Sequence, residues 1–253
     1  MNSPVSCLPD PIQNMVKKKS KTQKRPRATL SRVPRFRGIM APAAMGGVVS
    51  KNQSNLPITA GIGRMMTVQN YELSRTFPTQ AGTPAFNNQG LTVNPGISSA
   101  FPWLSAIALN YSKFRFRFLR YMYVPQVPTT VAGVCYINIS YDSADSTPST
   151  LAQVSQSDSS TIGPVWHGGG INADKAFSKN LGVDEMIYCD VDCTKWTQPY
   201  YYVRSQGNTD ADTKPAVVNY GIDSSVPAAI TPGQLYVAYI VDLFEPVASA
   251  LNA

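Results

Sequence analysis

The sequence predicts an all-β protein, a two-sheet β-sandwich preceded by a basic segment with nothing to bury. Three observations support this. Period-two apolar patterns rich in Val, Ile, Tyr and Phe recur from residue 66 to residue 244. Long turn-rich stretches separate them, and only two short helical patterns intervene. In residues 17–37, ten of 21 side chains are Lys or Arg and none is acidic.

The basic run consists of Lys17, Lys18, Lys19, Lys21, Lys24, Arg25, Arg27, Arg32, Arg35 and Arg37. Charges this dense repel one another, and Pro26 and Pro34 interrupt any helix. Residues 1–38 are therefore expected to be a disordered arm until a polyanion supplies the compensating charge. RNA is the natural candidate; a nuclear address is a second use for such a cluster. About nine phosphate contacts on single-stranded RNA would give a log–log salt slope of roughly −6. Residues 39–65 are small, apolar and Gly-rich, with Lys51 and Arg64 the charged side chains. This composition suits a connector laid against other protein surface, including that of neighbouring subunits.

Residues 66–253 are expected to form one sandwich domain. The patterns at 66–77, 86–94, 114–124, 131–141, 185–194, 198–204, 216–222 and 234–244 predict about eight strands. In 114–124, strict alternation puts Phe114, Phe116, Phe118 and Met122 on one face, with Arg115, Arg117, Tyr121 and Tyr123 on the other. Arg120 breaks the apolar face. Cys135, Ile137, Ile139 and Tyr141 share a side, as do Leu235, Val237, Tyr239, Val241 and Leu243. Residues 102–111 and 149–157 predict the two helices; Pro102 suits a first turn, and Ser149 is the expected cap of the second.

Net charge divides the chain. Residues 1–64 hold 12 basic side chains and one acidic one, Asp10; residues 65–253 hold 10 basic and 14 acidic. The two parts face different partners. Charged residues are only 15% of the whole, so much of the sandwich surface is expected to be covered by other subunits. Four cysteines are too few for a disulfide framework. Cys189, Val191 and Cys193 read as one strand face of buried thiols, consistent with a reducing intracellular compartment. No secretory signal and no membrane-spanning stretch is expected.

Enzymatic chemistry has little to stand on. His167 is the single histidine, and no phosphate-binding or nucleophile-elbow motif occurs. An enzyme built around His167 ranks last. Asp190 and Asp192 are expected to share the strand face opposite the cysteines, as a carboxylate pair or as an ordinary polar face. In residues 141–148, YDSADSTP, Asp142 and Asp145 lie three apart in a turn. Such a turn is a plain loop or part of a hard-cation site, whose missing oxygens another subunit would supply.

Asn94-Pro95-Gly96 with residues 101–116 (FPWLSAIALNYSKFRF), the turn at 141–148, and the order of arm, connector and sandwich resemble one family. It is the coat proteins of small icosahedral positive-strand plant RNA viruses. The resemblance is to the tombusvirus-like group without a protruding domain (necroviruses and panicoviruses), with sobemoviruses as relatives. It implies an eight-stranded jelly roll that tiles a T=3 shell of about 180 copies. It implies a virion assembled in the host cytoplasm, with single-stranded genomic RNA bound by the arm. Residues 41–47 become candidates for an interlacing segment, and no protruding domain is expected after residues 234–244. The resemblance also implies Ca²⁺ between subunits at Asp142 and Asp145. Asp184, Asp190, Asp192, Asn252 and Ala253 are candidates for the remaining ligands. The competing function is a non-assembling viral RNA-binding protein, such as a movement or silencing-suppressor factor.

Overall fold

A computed structural model describes residues 49, 64–142, 145–179, 181, 185–206 and 210–252. The basic run 17–37, the segment 41–47, Cys7, Lys51, Asp184 and Ala253 lie outside the described residues. Val49, in the expected connector, forms a single parallel bridge with Ile171.

The strands are β1 (Met65–Thr76), β2 (Asn87–Thr92), β3 (Tyr111–Pro125), β4 (Val134–Ser140) and β5 (Ser160–Pro164). They continue with β6 (Tyr188–Asp190), β7 (Tyr201–Tyr202), β8 (Val217–Ile222) and β9 (Gly233–Pro246). One sheet runs β1-β9-β3, and both β6 and β7 pair with the far side of β3. The other runs β2-β8-β4-β5. Every pairing between named strands is antiparallel. β6 lies against Arg120–Met122 and β7 against Lys113–Phe114. The two pieces therefore occupy one strand position, interrupted by residues 191–200. Eight positions in two facing sheets make the sandwich that the sequence patterns predict and the jelly roll that the resemblance implies.

The core lies between the sheets. β4 contributes Cys135, Ile137 and Ile139, and β9 contributes Leu235, Val237, Tyr239, Val241 and Leu243. Both sets are the ones that alternation assigns inward. β3 departs from strict alternation. Its register against β9 shifts between Phe116 and Phe118. That bulge adds one residue and reverses the faces beyond it. Phe114 and Phe116 enter the core, and then Leu119, Tyr121 and Tyr123 do. Phe118, Arg120 and Met122 face away from it. Tyr121 and Tyr123 thus lie opposite to their expected side.

The outward face of this sheet has its own cover. Met122, Val124, Tyr71 and Ala238 pack beneath Ile171, Ala176, Leu181 and Met186. The segment above includes α3 (Ala173–Phe177), a helix that the sequence patterns did not indicate. Asn172 caps it by accepting from the Lys175 N–H at 2.8 Å. β5 is likewise new; its sequence STIGP is half-buried and carries Gly and Pro. Near the start of β3 the outward face of the first sheet stays open, with Lys113, Arg115 and Arg117 partly exposed.

The two expected helices are shorter than predicted. α1 (Leu104–Ala108) has no capping side chain of its own. Glu72 of β1 takes that role, accepting from the N–H groups of Trp103 (2.5 Å) and Leu104 (3.3 Å). In α2 (Leu151–Ser155) the cap is Thr150, not Ser149. Ser149 instead donates its N–H to Gln153 Oε1 at 2.7 Å, while Gln153 N–H donates to Thr150 Oγ1. The extended Thr150 backbone makes it the residue at the boundary. Among the described residues, no helix is long and apolar enough to cross a membrane.

Candidate functional site

Asp142 and Asp145 sit at the end of β4, where the chain leaves the sheet. Asp145 N–H donates to the Asp142 carbonyl at 3.3 Å, which closes the turn. Ser140 Oγ lies 3.0 Å from that same carbonyl oxygen and 3.0 Å from Asp145 Oδ2. Both aspartates are exposed and line a polar cleft of about 650 Å³. Asn138 and Asn219 face each other across β4 and β8 and also line it. Among the described residues, the buried Oδ1 of Asn219 has no hydrogen-bond partner.

A third carboxylate that sequence patterns did not single out, Asp158, lines the same cleft. Lys195 Nζ holds it at 2.5 Å and stands 4.9 Å from the Tyr141 ring centre. Asp158 lies 13 positions from Asp145 in an unremarkable polar stretch, so no local spacing marks it. The donors at the turn are hard oxygens suited to Ca²⁺, but two carboxylates fall short of the six to eight ligands it takes. Among the described residues, no three His, Cys, Asp or Glu side chains gather as a metal-binding group. Any further oxygens that a hard cation needs would have to come from groups other than these two carboxylates.

The other candidate ligands are spread apart. β6 ends at Asp190, so Asp190 and Asp192 do not share a strand face as expected. Asp190 forms a two-toothed ion pair with Arg120, at 2.5 Å to Nε and 2.8 Å to Nη2. Asp192 caps the short 3-10 turn Cys193–Lys195, accepting from Thr194 N–H (3.0 Å) and Thr194 Oγ1 (2.6 Å). Those bonds from Thr194 hold its carboxyl below the ordinary carboxylate range. Its backbone N–H donates to Tyr141 Oη at 2.8 Å, which ties this loop to the Asp142 turn. Asn252 is buried, and its amide donates to the carbonyls of Leu109 and Tyr111, both at 2.8 Å.

The cysteines behave as small hydrophobes. Cys135 and Cys189 lie in the core, and Cys193, on the 3-10 turn and not on a strand, packs against it. Burial pushes the Cys189 and Cys193 thiols up to about 12, which keeps them neutral and suits small buried hydrophobes. His167 lies beside Trp166, edge to face at 6.1 Å.

The motif Asn94-Pro95-Gly96 is a structural hub. Asn94 is 1% exposed. Its amide donates to the carbonyls of Tyr202 (3.0 Å) and Thr213 (2.9 Å). Its Oδ1 accepts from the N–H groups of Gly96 (3.0 Å) and Arg204 (3.3 Å). A Cβ on Gly96 would lie 2.4 Å from the Arg204 carbonyl oxygen, so only glycine fits there. The residues that carried the resemblance thus lock β7 and the following chain to the sandwich.

Comparison with known proteins agrees with this architecture. The family model of the viral coat protein S domain matches residues 37–249. The capsid protein of Tobacco necrosis virus (strain A) is 30% identical over 223 residues, covering 85% of this chain and 77% of that protein. That of strain D is 29% identical over 224 residues, covering 86% and 81%. A solved Tobacco necrosis virus structure superposes with a TM-score of 0.69 at 28% identity, covering 83% of this chain and 95% of its own. Cocksfoot mottle virus shares the fold, with a TM-score of 0.62 at 21% identity, covering 73% and 97%. With the match spanning most of the sandwich, the chain belongs to the family of viral coat proteins built on the S domain, and its role is structural, not enzymatic.

Proposed function

We propose that this chain self-assembles into an icosahedral T=3 shell of about 180 copies and packages single-stranded RNA through its basic arm. One observation carries the reading: ten cations and no acids in residues 17–37, ahead of a sandwich with net negative charge. Flexible Lys and Arg side chains bind phosphate without reading base edges. RNA gathered by many arms raises the local concentration of sandwiches, and weak contacts repeated around the shell then hold it. Assembly takes place in the host cytoplasm, and the product is the virion.

Removing residues 1–38 is expected to weaken RNA binding at least tenfold and to flatten its salt slope from about −6. Filter binding across a salt series reads this, and circular dichroism checks that the sandwich keeps its β signature. Sedimentation of the full chain with RNA separates the two functional classes. Uniform large particles support a shell; small soluble complexes at every protein concentration support a non-assembling RNA-binding factor.

Ca²⁺ is proposed between subunits, held by Asp142 and Asp145. Bound there, the ion would cancel carboxylate repulsion across the contact. Chelation at raised pH is then expected to swell particles, and Asp142→Asn with Asp145→Asn to remove that response. Light scattering that still shows full chelator-dependent swelling in the double variant rejects these two ligands.

A further inference from the structure

We propose that the sandwich carries its own contact for single-stranded RNA: a patch of cations and exposed tyrosines at the foot of β3, β7 and β9. This rests on the RNA-packaging reading and adds a second binding element to it. The cross-strand register builds the patch. Tyr202, Lys113, Phe244 and Met65 fall in one row across β7, β3, β9 and β1. Arg115 lies opposite Asp242 in the adjacent part of β3 and β9.

The rings are accessible. Tyr200 and Tyr202 are 40% and 39% exposed, although large apolar side chains elsewhere in the sandwich are mostly buried. Tyr200 stands edge to face on Phe244 at 4.8 Å, which holds its ring upright. The Arg115 guanidinium is 5.8 Å from the Tyr200 ring centre. Lys113 (5.8 Å) and Arg204 (5.7 Å) flank Tyr202 in the same way.

The charge is unbalanced. Arg115 and Arg117 both bond to one carboxylate, Asp242, at 3.3 Å and 2.6 Å. The Asp242 side chain is fully buried, whereas those of Arg115 and Arg117 are 44% and 50% exposed. Water and ligands therefore meet the guanidinium groups and not the acid. Lys113 shares Glu245 at 2.9 Å; Arg204 donates to a backbone carbonyl. This excess of cations stands out on residues 65–253, where acids outnumber bases.

Cations beside exposed aromatic rings match a polyanion that also offers flat rings, which is single-stranded nucleic acid. A duplex hides its base faces, and an acidic peptide gains little from exposed tyrosine rings. The location fits the same partner. Glu245 N–H donates to the Arg64 carbonyl at 3.0 Å, so the chain enters the sandwich beside the patch. Arg64 and Met65 line the shallow groove that holds Tyr200 and Lys113. Arg37, the last cation of the basic run, precedes Arg64 by 27 positions in the chain. RNA caught by the arm is thereby presented to the patch at high effective concentration.

Ultraviolet cross-linking of the full chain to a short 4-thiouridine RNA, with mass spectrometry of the adducts, tests the proposal. Adducts at Tyr200 or Tyr202 are expected in addition to those in residues 17–37. Tyr200→Ala with Tyr202→Ala should weaken binding about tenfold and leave the salt slope unchanged. Arg115→Gln with Arg204→Gln should reduce the slope by about 1.4 and keep the tyrosine adducts detectable. The second pair decides if the first fails to fold. Wild-type adducts confined to the arm, with full affinity and slope in the folded variants, would overturn the patch and leave the arm reading intact. Variants that alter assembly while RNA adducts and affinity persist would make the patch a subunit contact and overturn it too. A failure of the arm reading shows separately, as wild-type protein with no adducts in residues 17–37.

Discussion

Asp190→Ala is expected to lower stability by about 3 kcal/mol in unassembled, calcium-free protein. The cause is its partner. The Arg120 side chain is 2% exposed, on the outward face of β3 beneath the α3 segment. Its guanidinium lies 4.6 Å from the Tyr188 ring centre and 5.3 Å from that of Phe118. It also donates to the Ser178 carbonyl at 2.8 Å and the Lys175 carbonyl at 3.3 Å. Removing Asp190 leaves a buried cation with neutral acceptors alone. The loss sits at the low end for a broken buried pair because the Asp190 side chain is 48% exposed and partly screened by water. Urea denaturation reads the loss, and adding Arg120→Met to Asp190→Ala should recover most of it. A change below about 0.5 kcal/mol in Asp190→Ala would show that the pair is not structural. A loss seen only with calcium present would return Asp190 to the metal ligands.

Asn94→Ala should cost about as much or more, roughly 3–5 kcal/mol, because it strips partners from four backbone groups at once. Two are carbonyls, of Tyr202 and Thr213, and two are N–H groups, of Gly96 and Arg204. Asn94→Asp should not rescue it, since a carboxylate would face those two carbonyls without a donor. Hydrogen exchange gives the local signature: protection at Tyr202 and Arg204 should fall before protection in β9. Equal loss across both sheets would mean that Asn94 acts on the whole fold and does not pin β7. Because β7 carries Tyr202, the same variant should also loosen the aromatic patch.

The sandwich was legible in the sequence because its central strands alternate cleanly. β9 and β4 needed nothing beyond period two. β3 shows where that rule stops. Its bulge at Phe116–Phe118 depends on pairing with β9 more than 120 positions away, and no local pattern announces a shifted register. Arg120 was visible as a break in an apolar face, but only the tertiary fold supplies Asp190, 70 positions later. β5 was missed for a different reason. Ser160–Pro164 pairs on one side with β4 and is only half-buried, so selection for alternation is weak there. α3 was missed because five residues are too few for a helical period to register.

The candidate site divides in the same way. Asp142 and Asp145 are legible because they lie three positions apart in one turn. Asp158, on the same cleft, and Asn219, beneath it, are brought there by β4–β8 pairing and the α2 connection. The exposed rings of Tyr200 and Tyr202 read in sequence as one more strand. Their use depends on a neighbour, β3, that places two cations, Lys113 and Arg115, beside them.

The broken strand position made by β6 and β7 has a further consequence. Proteins kept at high density risk main-chain zippering, in which one copy templates the next into a fibre. Here that margin of the sheet offers only three residues, then a detour, then two more. The opposite margin, β1, is long but kinked by its own register shift between Leu73 and Arg75. Copies crowded together are thus steered toward side-chain recognition, which closes on itself, and away from open-ended stacking.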